Sequence, residues 1–208
     1  MNMWRLPELP PLPDNVWLTL REIAVAYVLA VAAGLWLGFV LGLKRVIGRI
    51  YEPLLGALYA IPSVVWYPSL MLFFGLGPAS KIAFGFLLGF FPVVLSVLAG
   101  IRQVPQHLIT VAVSMGAGPG VLFRKVMLPA MISTMVGGLR TGLALSVVGV
   151  LVGEVLGSRS GVGYLINYAY GLMMTREYAV LVLMVAAVVL AIDGAGALLE
   201  ARVRRWAS

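Results

Sequence analysis

Residues 23–43, IAVAYVLAVAAGLWLGFVLGL, form an uncharged apolar run that is long enough to cross a lipid bilayer. Four more apolar stretches follow it along the chain: 54–76, 82–101, 128–156 and 179–199. At a rise of 1.5 Å per residue, a helix of about 20 residues covers roughly 30 Å, the thickness of the hydrocarbon core. The sequence therefore predicts an all-α integral membrane protein, in which residues 1–208 form one transmembrane domain with five spanning helices.

The composition supports a membrane protein and excludes several classes of function. Of the 208 residues, 62% are hydrophobic and 11% are charged, whereas soluble domains carry about 25% charged residues. The absence of cysteine excludes disulfides, thiol catalysis and cysteine zinc sites. With His107 as the sole histidine, we expect no multi-histidine metal site, no Ser/His/Asp constellation and no cofactor in this chain. The net charge of +7 is assigned to membrane topology, so nucleic-acid binding is not expected.

The basic residues outside the apolar stretches are unevenly shared between the two membrane faces. Nine follow the first, third and fifth stretches: Lys44, Arg45, Arg49, Arg102, Arg124, Lys125, Arg202, Arg204 and Arg205. Five lie on the other side: Arg5, Arg21, Lys81, Arg159 and Arg176. Because short cytoplasmic loops carry an excess of Lys and Arg, this distribution predicts an external N-terminus and a cytoplasmic C-terminus.

Three charged residues interrupt the fourth and fifth stretches, namely Arg140, Glu154 and Asp193. Arg140 and Glu154 are fourteen positions apart, so they lie on nearly the same helix face but about 21 Å from each other. Each therefore needs a partner elsewhere, since an intramembrane charge is costly when it is unpaired. We expect these charges to brace a subunit interface or the pathway wall rather than to contact the solute.

Proline and glycine mark further features of the apolar stretches. Pro62, Pro68 and Pro92 are expected to kink or break their helices. Two stripes place glycine at every fourth residue: Gly34, Gly38 and Gly42, and Gly149, Gly153 and Gly157. Such stripes allow close helix packing, although glycine is also common in membrane helices for other reasons.

The segment 102–127 is not membrane-like. Pro105 can begin a helix, and its apolar residues fall on one stripe with Met115 beside it: Leu108, Ile109, Ala112 and Val113. The glycine- and proline-rich run 116–120 then ends the helix. A short amphipathic helix can lie on the lipid surface or occupy a groove in a partner. The partner is favoured here, because the helix lacks the Lys- and Arg-rich face of a lipid binder.

The same segment resembles a known family. Thr110-Val111-Ala112-xxx-Gly116, followed after nine residues by Val126-x-Leu128-Pro129, resembles the Glu-Ala-Ala-xxx-Gly-(nine)-Ile-x-Leu-Pro loop of binding-protein-dependent ABC importer permeases. Thr110 and Val111 depart from that pattern, because the family usually has Glu and Ala there. The stretches YAIPSVVWYPSLMLFFGLG (59–77) and GLRTGLALSVVGVLVGEVLGSRSGVGYLI (138–166) resemble the nitrate, sulfonate and taurine branch.

The resemblance implies a type I ABC importer permease core of five transmembrane helices with a cytoplasmic coupling helix. The implied partners are a second permease copy or paralogue, two cytoplasmic ATPase subunits that carry ATP and Mg, and an external solute-binding protein. The resemblance also implies an inner-membrane location and alternating access for a small solute. Nitrate, sulfonate, taurine, bicarbonate and pyrimidine-type vitamin precursors remain open. The residues that would couple to the ATPase are Leu108, Ile109, Thr110, Val111, Ala112, Val113, Gly116, Val126, Leu128 and Pro129.

Two other classes of function were compared with the importer subunit. A stand-alone secondary transporter is the main alternative, although that class commonly has internal repeats and no convincing repeat joins the two halves of this sequence. A membrane enzyme or scaffold is less favoured, because the sequence has no catalytic cluster.

Overall fold

The computed structural model describes the backbone of residues 10–207 and all of their side chains except those of residues 45, 199 and 203–207. Arg5, and the side chains of Arg45, Arg204 and Arg205, which contribute to the predicted charge bias, lie outside this description. The described chain consists of these helices: α1 (Leu12–Leu43), α2 (Arg45–Ala60), α3 (Trp66–Phe74), α4 (Pro78–Gln103), α5 (Gln106–Ser114), α6 (Pro119–Leu122), α7 (Leu128–Gly157), α8 (Val162–Gly171) and α9 (Thr175–Ala207). A 3₁₀ turn, Ser63–Val65, precedes α3, and a π-helical turn, Phe123–Met127, leads into α7.

Four helical stretches are long and apolar enough to cross a membrane, and they contain α1, α4, α7 and α9. The bent pair α2–α3 makes a fifth crossing if it is counted as one span. The predicted all-α membrane fold is confirmed, with five apolar spans when the bent pair α2–α3 is counted as one.

Helix α1 is longer than the predicted span 23–43. Helix α1 begins at Leu12 and continues through Arg21 and Glu22. The prediction used the last charge as the boundary of the span. The helix does not begin at this charge, and Glu22 is buried inside the bundle, with 1% of its surface exposed.

The second predicted span, 54–76, is not one straight helix. Helix α2 ends at Ala60, and the helical axis turns by 77° before α3. Pro62 caps the 3₁₀ turn at the break, and Pro68 lies in the first turn of α3, where a missing N–H costs nothing. Pro92, by contrast, lies inside α4, which continues unbroken from Pro78 to Gln103.

Helix α4 is the centre of the bundle and packs between α1 and α7. A Cβ atom at Gly34 of α1 would lie 2.7 Å from the Val93 side chain of α4, and one at Gly149 of α7 would lie 2.7 Å from the Cα atom of Gly85. Any larger residue at these two positions would push the helices apart. Both predicted glycine stripes therefore lie at close helix contacts.

The turn before α4 is shorter than the sequence predicts. Residues 77–81 separate the predicted spans 54–76 and 82–101, but α4 already begins at Pro78, and Lys81 is a fully buried residue within it. Without the buried Lys81, the count of basic residues on the two predicted sides changes from nine against five to nine against four. Helix α8, between the last two spans, was not predicted either.

Candidate functional site

Helix α5 follows α4 and precedes α6 and α7 along the chain. It lies at the end of the bundle where α1 also ends. Pro105 is its N-cap residue, and the helix ends at Ser114. At its C-terminus the amide of Gly116 donates to the Val113 carbonyl, and the amide of Ala117 donates to the Ala112 carbonyl, at 2.9 and 3.0 Å. This pair of bonds is a Schellman motif, which requires a residue with positive φ. Gly116 provides it, with a φ of 82°.

The apolar side chains of α5 are divided between two directions. Leu108, Val111 and Met115 are 40%, 55% and 82% exposed, and their spacing of three and four residues places them on one outward face. Ile109 and Ala112, in contrast, are half-buried. The sequence grouped Leu108 with Ile109 and Ala112 as one docking stripe, but the structure turns Ile109 towards the bundle and adds Val111 to the exposed side. Val113, which the sequence also placed on the stripe, is 57% exposed.

The second half of the predicted motif forms the entry to α7. Val126 is half-buried within the π-helical turn, and Leu128 packs against Val97 and Met131. Pro129 lies in the first turn of α7. These residues therefore fix the loop that contains α5 to the spanning helices, while Leu108, Val111 and Met115 of α5 remain exposed.

Arg140 joins α7 to α9 through two acidic side chains. Its Nε and Nη2 atoms donate to the two carboxylate oxygens of Asp193 at 2.9 and 2.7 Å, and its Nη1 atom donates to Glu200 at 3.2 Å. Both acids lie on α9. The two-pronged contact with Asp193 fixes the orientation of the planar guanidinium as well as its position.

Glu154 is fully buried near the C-terminal end of α7. Its carboxylate accepts hydrogen bonds from the Thr19 hydroxyl of α1 at 2.6 Å and from the Gly163 amide of α8 at 2.8 Å. Arg140 and Glu154 thus have their partners on different helices, and the two side chains belong to separate clusters.

The cluster around Glu154 includes a buried ion pair that the sequence reasoning missed. Lys81 of α4 lies 2.8 Å from Glu22 of α1, and both side chains are 1% exposed. The Lys81 ammonium also donates to the Ser158 hydroxyl at 3.1 Å. Asn15 accepts the Gly161 amide at 2.6 Å on the same side of the bundle. Together these contacts fasten the segment between α7 and α8 to α1 and α4.

A cavity of about 280 Å³ opens at the break between α2 and α3. Helices α4 and α7 form its other walls. Its lining residues are Leu58, Tyr59, Ala60, Ile61, Pro62, Ser63, Trp66, Leu87, Leu88, Phe91 and Leu145. Pro62 was predicted as a kink, but the aromatic cavity beside it was not predicted, because its walls come from four helices.

Comparison with known proteins gives concordant matches. The family model described as "Binding-protein-dependent transport system inner membrane component" matches residues 30–205. A putative ABC transporter permease protein of Methanocaldococcus jannaschii is 34% identical over 160 residues, which cover 76% of this chain and 60% of the relative. The riboflavin transport system permease protein of Chloroflexus aurantiacus is 38% identical over 154 residues, or 74% of this chain and 58% of the relative. Permeases named for nitrate, taurine and aliphatic sulfonates also match, at 25%, 27% and 30% identity.

The fold is also found in a solved transporter. A chain of the MetNI methionine ABC transporter, in an inward facing conformation, superposes with a TM-score of 0.73 at 23% identity, over 92% of this chain and 95% of that chain. The likeness confirms the predicted importer permease fold. The chain spans about three fifths of the length of the first two relatives.

Proposed function

This chain belongs to the family of binding-protein-dependent transport system inner membrane components, and on that premise we propose that it is the membrane-spanning permease subunit of an ATP-driven importer. It forms the pathway by which a small solute moves inward through alternating access. The family is one of transport components rather than enzymes, and ATP hydrolysis takes place on separate subunits. The permease pairs with a second copy or a paralogue, two cytoplasmic ATPase subunits and an external solute-binding protein.

The observation that carries the proposal is the exposed face of α5. A nine-residue helix, capped by Gly116, presents Leu108, Val111 and Met115 outward. An apolar helix face of this kind fits a groove in a partner. Burying Leu108 or Val111 in such a groove contributes about 1.5–3 kcal/mol per side chain. We assign this groove to the ATPase subunit and α5 to the coupling helix.

Thr110 alters the polar part of this contact. Its hydroxyl is neutral, so it does not supply the negative charge of the usual Glu. The hydroxyl donates instead to the Gln106 carbonyl of its own helix at 3.0 Å. The apolar face therefore provides most of the contact in this chain.

The orientation follows from the basic residues. With Lys81 buried, nine basic residues face four across the membrane, and the side with nine includes the α5 segment. We propose that this side is cytoplasmic, which places the N-terminus outside and the C-terminus inside an inner membrane. The solute is one of the small molecules already considered, or riboflavin, the solute in the name of the Chloroflexus relative.

Affinity purification of the tagged chain from its native membranes tests the proposal. We expect an ATPase to co-purify, and we expect the double variant Leu108→Asp with Val111→Asp to lose it, because two charges would enter the groove. Thr110→Glu is the matched control, since it adds an acid to the same helix outside the exposed apolar face, and it should keep or strengthen the association. If the double variant retains the ATPase and normal uptake, the coupling assignment is wrong and a stand-alone transporter is favoured.

A further inference from the structure

The cavity at the α2–α3 break lies halfway through the bundle. Leu87, Leu88 and Phe91 line it from the middle of α4, which spans Pro78–Gln103, and Leu145 lines it from near the middle of α7. The midpoint of a spanning helix lies near the bilayer midplane. Non-helical backbone is tolerated at that depth where it lines a cavity, and transporters place solute sites at such broken helices.

The walls of the cavity are apolar, include three aromatic side chains, and carry polar groups that have no partner among the described residues. The rings of Tyr59 and Phe91 lie with their centroids 5.8 Å apart, and Trp66 completes the aromatic lining. Among the described residues, the hydroxyls of Tyr59 and Ser63 and the indole N–H of Trp66 have no hydrogen-bond partner. The 3₁₀ turn that begins at Ser63 also lacks a side-chain cap. The cavity thus offers ring faces for stacking and several donors for hydrogen bonds.

The cavity does not offer a positive charge. None of the described residues that line it is a lysine or an arginine. Two basic residues of the described spanning helices are also paired with acids: the buried Lys81 with Glu22 at 2.8 Å, and the partly exposed Arg140 with Asp193 at 2.7 Å. Because moving an anion out of water without a countercharge is very costly, this cavity is a poor site for nitrate or a sulfonate.

We infer that the cavity binds a neutral, planar solute of one or two rings that carries hydrogen-bond acceptors, an inference that rests on the proposed import function. The size agrees, because a cavity of about 150 Å³ holds one benzene molecule, and this cavity has about 280 Å³. Stacking on Trp66 and Tyr59 orients the ring. The hydroxyl and indole donors then select molecules with carbonyl or ring-nitrogen acceptors over purely apolar ones.

Because the chain has no cysteine, Ser63→Cys provides a single reporter in the cavity of the full chain reconstituted in lipid nanodiscs. Its labelling rate with a maleimide is measured with nicotinamide, with nicotinate, which has the same ring with a negative charge, and with nitrate. We expect nicotinamide to slow the labelling in a saturable way and the two anions to leave it unchanged. Ser114→Cys on α5, which is exposed and outside the cavity, is the control whose labelling no probe should change.

Variants of the wall separate stacking from general apolar contact. Trp66→Ala should raise the nicotinamide concentration for half-protection about tenfold, as expected for the loss of one stacking partner. Trp66→Phe keeps an aromatic ring and should change this nicotinamide concentration much less. Leu72 of α3 is 87% exposed and lies outside the cavity. Leu72→Ala should therefore leave the nicotinamide concentration for half-protection unchanged.

The inference is overturned if nicotinate or nitrate protects Ser63→Cys as well as nicotinamide does, or if no probe protects it. Two Ser63→Cys chains could instead cross-link while no probe protects them. That result would identify the cavity as a contact between copies and would also overturn the inference. The assay requires neither the ATPase nor a binding protein. A failure here is therefore distinguishable from a failure of the α5 test, which measures ATPase association.

Discussion

Lys81 on α4 and Glu22 on α1 form an ion pair 2.8 Å long, in which each side chain is 1% exposed. The pair joins two spanning helices at the end of the bundle where the buried carboxylate of Glu154 also lies. Removing one partner from such a pair leaves an uncompensated buried charge, whereas replacing both by apolar residues is often neutral. The stability of the bundle therefore depends on the two residues being kept or replaced together.

The first prediction is that Lys81→Met destabilises the protein by about 3–5 kcal/mol, because Glu22 would be left buried and unpaired. The double variant Glu22→Met with Lys81→Met should recover most of that loss. Thermal unfolding of the purified chain in nanodiscs measures both effects.

The ion pair between Glu52 and Arg102 is the control for this prediction. Its side chains are 31% and 46% exposed, so Glu52→Gln should cost less than about 1 kcal/mol. An equally large loss of stability in Glu52→Gln and Lys81→Met would contradict the role of burial.

The sequence predicts the apolar spans and the limits of α5 well, because both follow from local patterns. Apolar length identifies α4 and α9, and the positions of Pro105 and Gly116 delimit α5. The buried pair of Lys81 and Glu22 could not be predicted in this way, for a physical reason. A charge at the end of an apolar run indicates a span boundary unless a partner from another helix neutralises it, and only the packing of α1 against α4 brings Glu22 to Lys81.

The break at Pro62 and helix α8 show the same limit. Proline indicated a kink, but the 77° turn and the aromatic cavity depend on how α2 and α3 pack on α4 and α7. Helix α8 is short and apolar, and its N-cap residue is Gly161, which has a φ of 104°. Its start is fixed by the amides of Gly161 and Val162, which donate hydrogen bonds to the side-chain oxygens of Asn15 and Thr19. These partners are more than a hundred positions away in the sequence, so no local pattern reveals them.

The second prediction concerns the contact of Arg140 with α9. Arg140→Met should weaken the docking of α9, since Asp193 and Glu200 would lose their common partner. Uptake and the stability of the permease dimer should both fall. Asp193→Asn in the Arg140→Met background should add little further loss, because the two residues act through one contact. Additive losses in the double variant would show that they act independently.

The third prediction concerns the orientation of the chain. Ser158 and Ser160 take part in hydrogen bonds near Lys81, so Arg159, which is exposed between them, is the better external reporter. Arg159→Cys should react with an impermeant thiol reagent added to intact cells, whereas Ser114→Cys on α5 should react only after the membrane is opened. The opposite pattern would reverse the topology and remove the cytoplasmic assignment of α5.

The last prediction concerns Gly116, whose φ of 82° closes the Schellman motif after α5. A Cβ atom at this position would meet no other atom within 4 Å, so any effect of substitution comes from backbone strain rather than from a clash. Gly116→Val should therefore cost about 1–3 kcal/mol in the local conformation and weaken ATPase association, while membrane insertion and dimerisation persist. Gly116→Asn is the matched control, because asparagine adopts positive φ far more readily than valine, and it should retain most of the association. Equal retention by Gly116→Val and Gly116→Asn in the co-purification assay would show that this cap does not position α5 for its partner.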